Sequence, residues 1–317
     1  MALCDGCTPD NRIMDTETNN TNSRSGSFVL ASKVQDYFQL IKFTLSFMVV
    51  FSSVISYLLV PGVSFDLALV LLLFIAGMLI TGSANAINQI LEKNTDALMH
   101  RTSKRPVASG RMGVREAYTF AGVCGITGVI MLWYFFTFNS AMLGLFSLLL
   151  YGFVYTPLKK VNSIAVLVGA IPGALPCLIG WMAAPGTTFA DPGGWILFAI
   201  QFLWQFPHFW AIAWIAHEDY SKAGFKLLPS SQGPTKFTAL QSVMYSLIMV
   251  PVGMLPYYYK ISGNFSLWVL FACNLVMVLL SIQLFLKMDK PSARKVMFGS
   301  YLYLMIVLLS LYADKVG

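Results

Sequence analysis

Asn88, Glu92 and Asp96 place an amide and two carboxylates at every fourth position of the stretch Asn88-Gln-Ile-Leu-Glu92-Lys-Asn-Thr-Asp96. At about 100° per helical residue, this spacing keeps the three side chains on one face, one turn apart. An all-oxygen ladder of this kind suits Mg²⁺, a hard ion that takes one or two carboxylates and completes its shell with substrate phosphates. Taken alone, the ladder reads equally well as a solvated helix end with Glu92 paired to Lys93 or Arg101. It is followed directly by Met99-His-Arg101-Thr102-Ser-Lys-Arg105-Pro106. Guanidinium groups grip phosphate oxygens in a fork. Carboxylates for a metal beside arginines for phosphate are what a Mg²⁺–diphosphate complex requires.

Three further groups can join this chemistry. Glu218-Asp219-Tyr220-Ser-Lys222 adds a second acidic element with a lysine, and Asp219 stands as far before Pro229 as Asp96 does before Pro106. That is a faint echo of duplication and points to two half-sites across one cavity. Tyr155-Thr-Pro-Leu-Lys159 adds a phenol and an ammonium, which can also be read as a topology signal alone. His208 lies inside Trp204-Gln-Phe206-Pro-His208-Phe-Trp210. An intramembrane histidine serves as a metal ligand, a proton carrier or a helix–helix hydrogen-bond partner. His100 and His217 read as surface residues.

The elements that position these residues are membrane helices. Of 317 residues, 57% are hydrophobic and only 11% charged, with a mean hydropathy of +0.68. Soluble domains carry about 25% charged residues. The apolar residues fall in blocks of about 17–25, the length of a bilayer-crossing helix. About nine spans follow: Phe43–Val60, Leu67–Ile90, Tyr118–Phe138, Met142–Tyr155, Ile164–Ala183, Trp195–Ile215, Thr238–Tyr257, Leu267–Leu286 and Val296–Leu311. The expected fold is all-α, a polytopic bundle around a central cavity that opens to the cytoplasmic side. Pro172 and Pro176 interrupt the fifth span, which membrane helices tolerate where they face protein or a cavity.

Lysines and arginines set the orientation. Lys33 and Lys42, Lys93 to Arg115, Lys159 and Lys160, Lys222 to Lys236, and Lys287 to Lys295 all lie in alternate connections, whereas the opposite connections hold only Lys260. By the positive-inside rule the N-terminus is cytoplasmic, the C-terminus with Lys315 is outside, and the site faces the cytoplasm. The formal charge of +7 is explained by these loops and not by nucleic-acid binding. Residues 1–35 read as a polar, disordered cytoplasmic tail and residues 36–317 as the membrane domain. The tail has neither the apolar core of a signal peptide nor the acid-poor composition of a transit peptide, so a bacterial inner membrane fits best. Cys4 and Cys7 form a lone CxxC without a second pair to complete a metal site, and Cys124, Cys177 and Cys273 lie in apolar blocks, so no disulfide framework follows.

Asn88-x3-Glu92-x3-Asp96 with Met99-x-Arg101-Thr102-x2-Arg105-Pro106 resembles the first signature of the heme O synthases, a branch of the UbiA-type intramembrane prenyltransferases. Pro207-His208-Phe209-Trp210 with Asp219-Tyr220-x2-Ala223-Gly224 and Leu228-Pro229 is similar to the second. The resemblance covers roughly Tyr37 to Leu311. It departs from the wider superfamily, which more often has Asp where Glu92 stands and more carboxylates at the second site. It implies transfer of the farnesyl group of farnesyl diphosphate to a vinyl group of heme B, with Mg²⁺ as cofactor and heme O and diphosphate as products. On that reading Asn88, Glu92, Asp96 and Asp219 hold the metal, and Arg101, Arg105, Lys159 and Lys222 hold the diphosphate. Tyr155, with Trp204, Phe206 or Trp210, walls the allylic cation, and His208 meets heme. The expected partners are the two substrates, the lipid bilayer, and other heme-modifying or oxidase-assembly membrane proteins. Three rival readings are a prenyltransferase for an aromatic quinone precursor, a membrane transporter, and a silent assembly scaffold.

Overall fold

The computed structural model describes residues 32–230 and 233–316, and these are almost entirely helical. Residues 1–31 of the expected tail, with Cys4 and Cys7, lie outside the described residues, while residues 32–35 already belong to a helix. The helices are α1 (Ser32–Leu40), α2 (Phe43–Leu59), α3 (Leu67–Leu91), the short α4 (Lys93–Asp96), α5 (Val114–Phe135) and α6 (Phe138–Leu149). A π-turn at Leu150–Tyr155 leads into α7 (Thr156–Leu158), followed by α8 (Ala165–Ala183), α9 (Pro192–Ile215), the short α10 (His217–Lys222), α11 (Lys236–Tyr258), α12 (Asn264–Lys287) and α13 (Lys290–Ala313). Eight of these segments are long and apolar enough to cross a membrane, and α1 with α2, bent by 50°, makes up to nine among the described residues.

The helix starts are chemically specified. Asp66 accepts from the amides of Ala68 and Leu69 at the head of α3, Thr137 from Ser140 at α6, and Asp289 from Ser292 at α13. These caps satisfy amides that have no carbonyl partner in the first turn. Proline enters the first turn of α9 and of α13, where its missing donor does no harm. The fourth block, Met142–Tyr155 in the sequence, is longer at both ends in the structure, starting at Phe138 although regular α-helix stops at Leu149. The π-turn and α7 extend the span to Leu158.

α8 and α9 form the spine, with 78% and 67% of their apolar windows buried against protein. α2 and α6 flank α8, while α11 and α13 flank α9. In lipid, helices associate through close packing and polar contacts more than through apolar burial. Accordingly Gly180 of α8 lies directly against the backbone carbonyl of Ser53 on α2, and Ser56 donates to the carbonyl of Cys177 at 2.6 Å. Pro172 and Pro176 lie in α8, Pro172 and Pro176 both being buried, as expected of helix breakers that face protein. The Trp204 indole of α9 donates to the carbonyl of Ser300 on α13 at 2.7 Å.

The two classes of connection separate to opposite ends of the bundle. At one end, Arg111 pairs with Asp36 at 2.8 Å, Lys33 with Glu116 at 3.1 Å, and Lys290 with Glu218 at 2.6 Å. At the other, Lys315 donates to the carbonyls of Leu58, Val60 and Val63, and Gly263 to the carbonyl of Asp314. Lys315 thus caps the end of α2, a structural reason for a lysine on the side that is otherwise poor in them.

Candidate active site

Asn88 lies in the buried last turn of α3, and the chain breaks one turn later at Glu92, whose φ of −96° and ψ of 7° lie in the sparsely populated bridge region. The backbone ladder nevertheless continues, Glu92 N to Asn88 O and Asp96 N to Glu92 O, so the three side chains remain successive rungs. All three are buried, Asp96 completely.

Each rung meets a base. The ammonium of Lys42 donates to Asn88 Oδ1 at 3.0 Å, Lys159 Nζ lies 2.6 Å from Glu92 Oε1, and Arg105 Nη1 donates to Asp96 Oδ2 at 2.7 Å. The Lys159–Glu92 contact is an ion pair whose angles fall outside hydrogen-bond geometry. The amide of Asn88 donates to Thr156 Oγ1, tying α3 to the turn after the π-segment. Lys159 closes that turn, and Tyr155 ends the π-segment just before it. A π-turn of this kind often marks a functional position. Here it brings the Tyr151 and Tyr155 rings to 5.2 Å and sets the Lys159 ammonium 4.8 Å above the Tyr155 ring. Gly169 of α8 has no side chain because the Tyr155 ring fills that space.

The second signature closes over this cluster. Arg101 donates to the phenol oxygen of Tyr220 at 2.9 Å, and Met99 packs with Ala223 and Phe225. Phe225 presents its ring to Lys159 at 5.4 Å, and the amide of Lys226 donates to the carbonyl of Lys159. Asp219 is half-buried and Lys222 exposed. Among the described residues no three His, Cys, Asp or Glu side chains lie close enough to hold a metal ion, so Glu92, Asp96 and Asp219 form no ready cage. The donor chemistry still fits Mg²⁺ that shares its shell with phosphate: Asp96 Oδ1 is buried without a hydrogen-bond partner, and every rung is oxygen.

Two spaces adjoin the cluster. A cavity of about 70 Å³ lies one turn deeper, between Ser46, Asn85, Tyr151 and Pro172. A larger one, about 410 Å³, lies beyond the Tyr220 and Phe225 rings and is lined by His217, Lys226, Leu227 and Leu228. Near its rim Glu218 is fully exposed, and the hydrogen bond from Lys290 holds its carboxyl below the usual carboxylate range.

His208 is buried on α9, and its Nδ1 lies 2.8 Å from the hydroxyl of Ser300 on α13. The donor in this contact depends on the imidazole tautomer; the tautomer with the proton on Nδ1 lets the Ser300 hydroxyl donate to the carbonyl of Met297 and leaves Nε2 its lone pair. Trp204 stacks on the imidazole and Tyr301 meets it edge-on at 4.9 Å. The aromatic residues expected to wall the site are divided: Trp204 faces α13, whereas Phe206 and Trp210 are packed with Tyr245 between α8, α9 and α11. The rings actually gathered at Lys159 are Tyr155 and Phe225. Lys42, which reads in the sequence as an orientation signal before the first span, is the main residue missed. Its charge carries no label of destination, and only the α1–α2 bend turns it inward.

The UbiA prenyltransferase family model matches residues 49–306. The chain belongs to the UbiA prenyltransferase family. As expected of a UbiA protein, it is a multi-pass membrane protein. It is 45% identical over 287 residues to the protoheme IX farnesyltransferase of Cytophaga hutchinsonii, covering 90% of this chain and 100% of that one. It is 40% identical to the protoheme IX farnesyltransferase of Christiangramia forsetii, covering 90% and 95%. Its fold is similar to that of a digeranylgeranylglyceryl phosphate synthase structure, with a TM-score of 0.73 at 21% identity over 89% of this chain and 98% of that one. It is also similar to a UbiA homolog from Archaeoglobus fulgidus bound to GPP and Mg²⁺, with a TM-score of 0.60 at 16% identity over 87% and 99%.

Proposed function

We propose that this UbiA protein is a heme O synthase: it transfers the farnesyl group of farnesyl diphosphate to a vinyl group of heme B, releasing diphosphate. The observation that carries this reading is the 45% identity to a protoheme IX farnesyltransferase across that protein's full length. The site's arrangement supports the diphosphate half. Asn88, Glu92, Asp96 and, from the second signature, Asp219 would hold Mg²⁺; a structural neighbour is bound to GPP and Mg²⁺. Bound there, Mg²⁺ would neutralise charge on the leaving diphosphate.

The chain's own residues do the rest. Arg101, Arg105, Lys159 and Lys222 bind diphosphate oxygens, and Lys159 and Arg105 exchange their carboxylate partners for phosphate as they do so. The departing diphosphate leaves an allylic cation, which the Tyr155 face stabilises while the buried setting keeps water away. The vinyl carbon of the acceptor then attacks, forming the new carbon–carbon bond, and water captures the resulting acceptor cation and gives up a proton, leaving a hydroxyl. Incubation of purified protein with heme B, farnesyl diphosphate and Mg²⁺ should give diphosphate and a product whose mass is that of heme plus a farnesyl and a hydroxyl group. Turnover of an aromatic quinone precursor in place of heme would overturn the heme assignment, and diphosphate binding without cleavage would favour the transporter reading.

His208 is the heme-binding candidate. An Nε2 lone pair suits heme iron, and its neighbour Tyr301 lies close enough to Arg101 to feel its charge. The bond to Ser300 also gives it the ordinary helix–helix role. His208→Ala should alter the Soret band or heme affinity while farnesyl diphosphate binding is kept. Unchanged heme binding with lost diphosphate affinity would remove His208 from the heme site. The site-bearing end is proposed to face the cytoplasm of a bacterial inner membrane, with the N-terminus on that side and the C-terminus opposite.

A further inference from the structure

The bend between α1 and α2 has a chemical product, the inward side chain of Lys42. Lys42 opens α2 at φ 50° and ψ 58°. In this left-handed region Cβ crowds the following carbonyl, and residues other than glycine persist there only where their surroundings impose it. α3 does so. The Gln89 amide donates to the carbonyls of Gln39 and Leu40, both at 3.0 Å, and the Asn85 amide to the carbonyl of Ile41 at 3.1 Å. Gln39 O also accepts the Lys42 amide and Ile41 O the Ser46 hydroxyl, so the carbonyls at the break are satisfied jointly by local donors and by the helix that carries the acceptor ladder. One turn beyond Asn85, Asn88 receives the Lys42 ammonium.

Charge matching then singles Lys42 out. Lys159 and Arg105 each face a carboxylate, Glu92 and Asp96, but Lys42 faces a neutral amide and forms no ion pair among the described residues. It is near enough to Arg105 and Lys159 to feel their repulsion, alongside the attraction of Glu92 and Asp96 that those two bases already pair. Three cations against two anions leave this half-buried cluster one negative charge short. An ammonium so placed is poorly compensated until an anion arrives.

We infer that Lys42 is a diphosphate-binding residue, whose ammonium passes from Asn88 to the substrate's phosphate oxygens and frees the Asn88 oxygen as it does so. The inference rests on the prenyl-diphosphate reading above and adds a contact from the first span to it. The α1–α2 break is then a device for delivering this side chain, and a substitution that straightened it would misplace the cation.

The test is equilibrium binding of farnesyl thiolodiphosphate, a non-cleavable analogue, to the full chain in detergent, with chelator and with Mg²⁺. Farnesol is measured in parallel, and thermal melting is followed without ligand. Lys42→Met should weaken analogue binding about 10- to 100-fold, the range for a lost charge-assisted hydrogen bond. Farnesol binding and melting should stay as in wild type, and Lys42→Arg should recover most of the affinity. Lys42→Gly tests the same loss in a residue at ease with the left-handed backbone, so folding is protected. Wild-type analogue affinity in folded Lys42→Gly would overturn the inference alone, as would parallel loss of farnesol and analogue binding, which assigns Lys42 to the bend's structure. A wild-type protein that fails to bind the analogue would overturn the prenyl-diphosphate reading itself.

Discussion

Asp96 is the residue on which most of the site's electrostatics converge. Its carboxylate is completely buried, one oxygen holds Arg105 and the other has no partner, so the charge is poised and not spent. Asp96→Asn preserves shape and leaves Arg105 an amide oxygen while removing the charge. On the proposed mechanism it should lower turnover by about 10²–10³, the usual effect of deleting one preorganised electrostatic partner. The protein should still insert and fold, as shown by an unchanged elution profile in detergent. Near-normal turnover at saturating Mg²⁺ would take Asp96 out of the site. The same rung logic separates residues that looked alike in the sequence. Arg105 is held by a carboxylate, whereas Arg101 lies exposed against Tyr220 and is held by the second signature.

At the scale of elements, the bundle is closed by small residues at backbone contacts. Gly180 shows this most clearly, because a Cβ there would overlap the carbonyl of Ser53, a backbone atom that cannot move aside. Gly180→Val must therefore push α2 away from α8, and α2 carries Lys42 at its head. Overpacked cores commonly lose about 1–3 kcal/mol. A lower melting temperature in detergent is expected, together with weaker turnover. Gly122→Ala, at a site on α5 with nothing within 4 Å, is the matched control and should melt as wild type does. Equal melting for both variants would show that the α2–α8 approach does not limit stability. The spine itself was legible beforehand only as two spans with proline inside. Its burial follows from packing partners that a hydropathy profile does not contain, since lipid and protein neighbours are about equally apolar.

For the whole molecule, the sorting of basic connections to one end makes a topological prediction. Ser103 lies in the turn between Arg101 and Arg105, at the end where the signatures meet. A cysteine placed there, in a background free of other cysteines, should react with an impermeant reagent only after the membrane is opened. Labelling in sealed cells would reverse both the orientation and the side on which the substrates are met. The gathering of both signatures at one end was foreshadowed by equal spacing from Asp96 to Pro106 and from Asp219 to Pro229. The structure gives that echo a form, a short helix α4 after α3 and a short helix α10 after α9.

The membrane class, the approximate spans, the separation of basic loops and the acceptor ladder can all be read along the chain. Each of these is periodic or local: helix pitch sets the rungs, bilayer thickness sets the span lengths, and both can be counted along the chain. The sequence also carried the family, because signature residues are read in order and need no coordinates. Helix packing, in contrast, fixes which base meets which rung, turns Trp204 and Phe206 to different helices, and sets Phe225 over Lys159. Such pairings join residues far apart in the chain and depend on helix rotation and bends. The clearest case is Lys42, whose inward direction depends on a single left-handed backbone angle that amides on a neighbouring helix hold in place.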